Sequence, residues 1–254
     1  MTGDIAFDDI TVLDTIDSTN NAVRRRITAG ATEPFAIASR EQTRGRGRSG
    51  REWKSQSGNL AATFYHPYEG THQQAARLSF AASLAVFDTL QTLAPQVSAG
   101  IKWPNDVLLN GKKVSGILLE NLGKRADGKL HLMIGIGINL RHHPDAANSN
   151  WPPTSIHTET GMPPDFDQAL SVLTTSLQTR LTAEAHQGFS VTRKDWLRHA
   201  VRLSETIAVR LPKETWQGIF RDIDETGALV LETLSGVRTV TAGDVFFSEG
   251  ATCS

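Results

Sequence analysis

The sequence predicts an α+β chain, in which a mixed domain of helices and strands carries a small β-barrel at its C-terminal end. Three observations lead there. Strand-like and helix-like periodicities alternate as far as Ala200. One segment, His72–Leu93, has strong helical periodicity, with Leu78, Ala82, Ala85, Val86, Thr89 and Leu93 at three- and four-residue steps and Pro95 closing it. After Leu203 the pattern changes to short alternating strands joined by Asp-Glu-Thr-Gly and Ser-Gly turns. The expected domains are therefore 1–200 and 201–254.

The elements follow in order. Ile10–Ile16 reads as a strand. Asp17 or Ser18 then caps a helix over Asn21–Ala29, ended by Gly30. Phe35–Ser39 and Asn59–Tyr65 read as strands flanking an Arg-Gly loop. Past the long helix come short strands at Ile101–Trp103, Val107–Leu109, Lys113–Glu120 and Leu130–Ile138, with hairpin turns at Asn110-Gly111 and Asp127-Gly128. Leu140–Pro153 is a polar loop, and helices are expected over Phe166–His186 and Val191–Leu203. The final strands are Ile207–Leu211, Gln217–Ile223, Ala228–Glu232 and Val237–Thr241.

Composition excludes several classes. The formal net charge is −1, whereas an electrostatic nucleic-acid binder is usually clearly basic. No apolar run approaches membrane-spanning length, and Met1–Asp4 lacks a signal-peptide pattern. The single cysteine, Cys253, allows neither an internal disulfide nor a cysteine-based metal site. The expectation is a cytoplasmic protein.

The most informative segment is Gln42–Arg51, in which four arginines are interspersed with three glycines. Glycine lets backbone approach a ligand, and the guanidinium fork matches carboxylate and phosphate oxygens. Such a loop suits a small anion. A second cluster, Lys102-Trp103-Pro104-Asn105-Asp106, places a lysine, an amide and a carboxylate within five residues. If the neighbouring strands form a hairpin, Lys113 converges on it. Other apparent motifs fail. Asp222-x-Asp224 reads as a hairpin turn rather than a calcium loop, His142-His143 lacks metal-site spacing, and Gly135-x-Gly137 lacks the third glycine of a dinucleotide fingerprint.

Five runs in order resemble the biotin–protein ligases: Ser18-Thr19-Asn20; Gln42 with Gly45–Arg51; Lys102–Asp106; Lys113–Leu118; and Gly135–Asn139. The resemblance extends from about Val12 to Gly250 and fits the short class. Longer members add an N-terminal DNA-binding helix-turn-helix, for which Ser18 stands too close to Met1. It implies a class II aminoacyl-tRNA-synthetase-like domain with an SH3-like C-terminal barrel. It also implies a two-step reaction. Biotin and ATP form biotinyl-5′-adenylate with release of pyrophosphate, and a lysine of a biotin-carboxyl-carrier domain then takes the biotinyl group.

The resemblance also implies site roles. Ser18, Thr19, Asn20, Gln42, Arg46, Gly47, Arg48, Lys113, Gly116, Gly135 and Gly137 fall at biotin-binding positions. Arg48, Arg51, Lys102, Asn105, Asn139 and Trp151 fall at nucleotide positions, although Trp151 is equally compatible with ordinary packing. Arg48, Lys113 and Asp106 are the expected catalytic residues, with Asp106 either a Mg²⁺ ligand or the base that accepts the acceptor lysine's proton. Arg44 receives no role. A lipoate–protein ligase and a biotin-responsive DNA-binding regulator are the alternatives. A monomer or weak homodimer with no nucleic-acid or membrane partner is expected.

Overall fold

A computed structural model describes residues 4–145, 151–211, 214–241 and 244–246. Cys253 lies outside the described residues. Seven strands form the main sheet: β1 (Ile10–Ile16), β2 (Phe35–Gln42), β3 (Leu60–Tyr68), β4 (Ala99–Lys102), β5 (Asp106–Leu109), β6 (Lys112–Lys124) and β7 (Leu130–Ile138). Their order is β1-β2-β3-β7-β6-β5-β4. The β1–β2 pair is parallel and the others are antiparallel.

Strand periodicity divides this sheet into two faces. Leu60, Ala62 and Phe64 of β3, Ile134, Ile136 and Ile138 of β7, and Ile117 of β6 belong to the main core, with α2 (His72–Leu93) and α4 (Phe166–Gln187). The intervening positions Ala61, Gly116, Leu118, Gly135 and Gly137 line a cleft on the opposite face. There α1 (Thr19–Thr28) packs Ala22, Val23 and Ile27 against Phe35, Ile37, Tyr65 and Met133. The sequence Gly-Ile-Gly-Ile of β7 thus has large residues towards the core and none towards the cleft.

The second sheet comprises β8 (Thr206–Arg210), β9 (Thr215–Ile223), β10 (Leu229–Thr233), β11 (Gly236–Val240) and β12 (Asp244–Phe246), in the order β11-β10-β9-β8-β12. It shares a core with Phe80, Leu84 and Phe87 of α2, with Ile101 and Trp103, and with Phe189 and Trp196 of α5 (Phe189–His199). Trp103 Nε1 donates to the Gly227 carbonyl at 3.1 Å, joining the Lys-Trp-Pro-Asn-Asp segment to a turn of the second sheet.

Several sequence-based expectations change. The first helix starts at Thr19, not Asn21, and neither proposed cap residue caps it through its side chain in the ordinary way. Ser18 occupies the cap position in extended conformation but makes no side-chain cap bond. Asp17 is instead bound by Arg25 at 2.9 and 3.0 Å and by Asn21 at 3.0 Å, and the Arg25 contact holds its carboxyl well below the usual range. The β3 strand runs on through Pro67, because β2 stops pairing at Tyr65 and leaves that edge without a partner needing the missing N–H. The helix expected to reach Leu203 ends at His199, since Val201 N turns to donate to Ile101 O at 2.9 Å. Two short elements, α3 (Ile156–Thr160) and β12, were too brief to give a periodic signal. Asp224 accepts from Thr226 N and Ala228 N, as a turn residue does.

Candidate active site

The cleft face of the sheet, the start of α1 and the Arg-Gly loop enclose a cavity of about 250 Å³. One end is cationic. Asp106 opens β5 opposite Lys102 and Gly116, so strand pairing brings it between two lysines. Lys113 Nζ lies 2.6 Å from Asp106 Oδ1, and Lys102 Nζ lies 3.1 Å from Oδ2. Burial pushes the Asp106 carboxyl up, but the Lys113 and Lys102 charges outweigh it and leave the carboxyl below its ordinary value. Its anionic form is therefore favoured, which makes it a weak proton acceptor.

Backbone pairing fixes Lys113 on both sides. Its strand pairs with β5, and its N–H and C=O bond to Pro152 O at 2.9 Å and Thr154 N at 2.8 Å. Asn105 anchors the same corner, donating to Ile117 O and accepting from Arg48 Nη1 at 2.8 Å. The Arg-Gly loop thus reaches the lysine pair through Arg48. A single 3₁₀ turn, Arg48–Gly50, shapes the loop, and Gly47 N donates to Arg51 O at 2.7 Å.

The other end is neutral and polar. Gln42 Oε1 accepts from Thr19 N at 2.8 Å and from Thr19 Oγ1 at 3.1 Å. Thr63 Oγ1 lies 2.8 Å from both Thr19 Oγ1 and Asn20 Oδ1. Ser18, the residue before Thr19, is buried, and its hydroxyl has no hydrogen-bond partner among the described residues.

Between the two ends stands Trp53. A methyl group at Gly116 would meet its ring at 3.1 Å, and one at Gly137 would overlap it outright. A methyl group at Gly135 would fall 2.6 Å from Asn20 Oδ1. These glycines therefore seat the indole and an amide against the sheet, rather than leaving its surface bare.

Most of the residues singled out from sequence line this one cleft: Thr19, Asn20, Gln42, Arg46, Gly47, Arg48, Arg51, Lys102, Asn105, Asp106, Lys113, Gly116, Gly135, Gly137 and Trp151. Two do not. Ser18 lies outside the lining, and Asn139 lines an adjoining hollow with Trp53, Lys113, Pro144 and Trp151. Asn139 Nδ2 donates to Thr154 O at 2.9 Å, while its buried Oδ1 has no partner among the described residues. Trp151 carries Lys102 Nζ 5.0 Å from its ring centroid. Sequence reasoning gave no role to Trp53, Thr63 or Glu120. The glycines facing the cleft mark open space above the sheet, but nothing in the sequence names Trp53 as the side chain that fills it.

Asp106 does not fit a divalent cation as it stands, since both its oxygens face ammonium groups at 2.6 and 3.1 Å. Among the described residues there is no group of three His, Cys, Asp or Glu side chains that could hold a metal, and no helix long and apolar enough to cross a membrane.

Residues 12–139 match the biotin/lipoate A/B protein ligase family, and residues 204–248 match the biotin protein ligase C-terminal domain. A biotin–[acetyl-CoA-carboxylase] ligase of Paracoccus denitrificans is 40% identical over 91% of this chain and 97% of its own. A bifunctional ligase/repressor of Bacillus spizizenii is 29% identical over 91% of this chain and 72% of its own. The solved biotin protein ligase of Aquifex aeolicus, in complex with biotin and ATP, superposes with a TM-score of 0.78 at 26% identity, covering 94% of this chain and 98% of that one.

Proposed function

Because this chain belongs to the biotin/lipoate A/B protein ligase family, we propose that it is an ATP-dependent biotin–protein ligase working through the cleft described above. The observation that carries this reading is the polarity of the cleft. Arg48, Lys102 and Lys113 converge at one end, and the neutral donors and acceptors of Thr19, Asn20 and Gln42 lie at the other. Biotin has the same polarity, with an uncharged ureido ring at one end and a carboxylate at the other. The match at residues 204–248 favours biotin over lipoate.

In the first step a biotin carboxylate oxygen attacks the α-phosphorus of ATP. The new C–O–P linkage forms as the bond to pyrophosphate breaks. Two anions must approach each other, so fixed cations supply much of the stabilisation. Arg48 and Lys113 are assigned to the carboxylate and α-phosphate, Lys102, Asn105 and Arg51 to the nucleotide, and Asn139 and Trp151 to the adenosine side. Ser18, outside the lining, supports the ring end by setting the start of α1. Gly47 lends backbone N–H to the loop, while Gly116, Gly135 and Gly137 shape the floor with Trp53. Asp106 orients the lysine pair and limits its repulsion. Mg²⁺ is assigned no ligand in this chain.

In the second step a neutral lysine amine of the acceptor attacks the acyl carbon; the amide C–N bond forms as the C–O bond to AMP breaks, and the amine's proton leaves with the departing phosphate or to solvent. The acceptor is assigned as a biotin-carboxyl-carrier domain. The test of the first step is biotin-dependent pyrophosphate release from ATP. Release with biotin and not with lipoate supports the reading, and release with lipoate alone would replace it with the alternative.

A further inference from the structure

Glu120 has no part in the chemistry above, yet it is the most heavily engaged carboxylate beside the cleft. It lies on β6 on the same face as Gly116 and Leu118, with its side chain 17% exposed. Its Oε1 accepts from Arg46 Nη2 at 2.9 Å and from Arg24 Nη2 at 3.4 Å. Its Oε2 accepts from Asn20 Nδ2 at 2.8 Å.

A carboxylate can only accept, so Glu120 fixes the orientation of the Asn20 amide. The amide nitrogen must face Glu120, and Oδ1 must face Thr63, whose hydroxyl lies 2.8 Å away. That commits the Thr63 proton to Asn20 Oδ1, with Thr19 Oγ1 2.8 Å from the Thr63 oxygen and its own proton on Gln42 Oε1. A continuous path then runs from Gln42 through Thr19, Thr63 and Asn20 to Glu120, and ends at Arg46 in the Arg-Gly loop. Arg46 also reaches Asn21 Oδ1 at 3.4 Å, so its guanidinium is laid across α1 and β6.

We propose that Glu120 is a positioning residue that latches the Arg-Gly loop, through Arg46, onto the wall assigned to the biotin ring. Arg46 acts in loop closure rather than as a contact to the carboxylate. The latch couples ring-site order to loop closure, because the same carboxylate holds Asn20 on one oxygen and Arg46 on the other. What the latch retains, the adenylate, rests on the ligase reading; the latch itself does not.

The test compares wild type, Glu120→Gln, Arg46→Gln, the double variant and Arg24→Gln. Amide exchange across Gly45–Arg51 is read without ligand, and biotinyl-adenylate release is read after synthesis. Glu120→Gln is isosteric and keeps an acceptor for Asn20 while removing the charge that holds Arg46. Faster exchange at 45–51 is expected, with adenylate release accelerated about three- to tenfold, the scale of one partly exposed charge-assisted pair. The double variant should be no worse than the more severe single change, and Arg24→Gln should match wild type. Single-turnover adenylate formation by Glu120→Gln at saturating substrates should stay within about twofold of wild type, which separates positioning from chemistry. Unchanged exchange in Glu120→Gln, or effects that simply add in the double variant, would overturn the proposal. If Glu120→Gln fails to fold, Arg46→Gln alters only a side chain that is 40% exposed, and unchanged exchange there overturns it equally. Failure of the wild type to make adenylate would remove the ligase reading, and the ligand-free exchange would then decide the latch by itself.

Discussion

Replacing Lys113 with alanine removes the ammonium 2.6 Å from Asp106 Oδ1 and leaves Lys102 at 3.1 Å from Oδ2. Asp106 keeps one partner, so the buried carboxylate is not stranded and the fold should survive. The chemical loss is larger. A unit charge about 4 Å from a phosphate oxygen contributes about 4 kcal/mol of gross attraction at an effective dielectric of about 20. The Lys113 side chain is 31% exposed, so solvent screens part of that attraction. Only the share gained as charge redistributes at phosphorus counts towards rate. The expected result is a fall in adenylate formation of about a hundredfold, at the lower end of the loss from removing a preorganised donor. The assay is single-turnover pyrophosphate release at saturating biotin and ATP, beside a melting curve. Lys112→Ala is the control, because Lys112 pairs with Glu159 at 3.1 Å, away from the lysine–carboxylate cluster. A folded Lys113→Ala variant that keeps its rate within about threefold would refute the reasoning. The role would then pass to Lys102.

Three further outcomes are expected. Arg48→Ala loses the 2.8 Å tie to Asn105 and should release adenylate faster, with more labelling of bystander lysines; an off-rate equal to wild type would show that closure depends on other residues. Gly137→Ala forces the Trp53 indole off the sheet and should weaken biotin binding about tenfold by calorimetry, on the scale of an overpacked site, whereas an unchanged Kd would mean that the indole moves freely. Burial depresses the His66 pKa from 6.5 to about 4, with Lys129 adding to the effect. Its neutral form is therefore favoured in the folded chain, and stability should fall as pH drops from about 6.5 towards 4, by on the order of 3 kcal/mol at most. His66→Gln should flatten that part of the melting-temperature profile, and an unaltered slope would assign the acid sensitivity to carboxylates.

The sequence carried the long elements and the site chemistry well, for physical reasons. His72–Leu93 and Leu130–Ile138 were legible to the residue, because buried apolar positions recur without interruption along both. The Lys102–Asp106 segment and Lys113 were legible as partners because an Asn-Gly turn sets the hairpin that joins them. What escaped was tertiary. Nothing local indicates that Trp53 fills the space above Gly116 and Gly137, since they belong to different strands of the sheet. Glu120 looked like an ordinary strand residue, because its partners Asn20 and Arg46 come from a helix and a loop far back in the chain. Asp17 or Ser18 was the expected cap of α1, but Ser18 takes the cap position in extended conformation with no side-chain cap bond, and its hydroxyl has no partner among the described residues.

Transfer of biotin to one acceptor lysine is read without an intermediary by the intact mass of the acceptor. The protein is incubated with biotin, Mg-ATP and a biotin-carboxyl-carrier domain, and the acceptor is weighed. A single biotinyl addition, dependent on ATP and lost when the acceptor's target lysine is replaced by arginine, is the predicted result. An acceptor of unchanged mass, beside a known ligase that modifies the same preparation fully, would contradict the account.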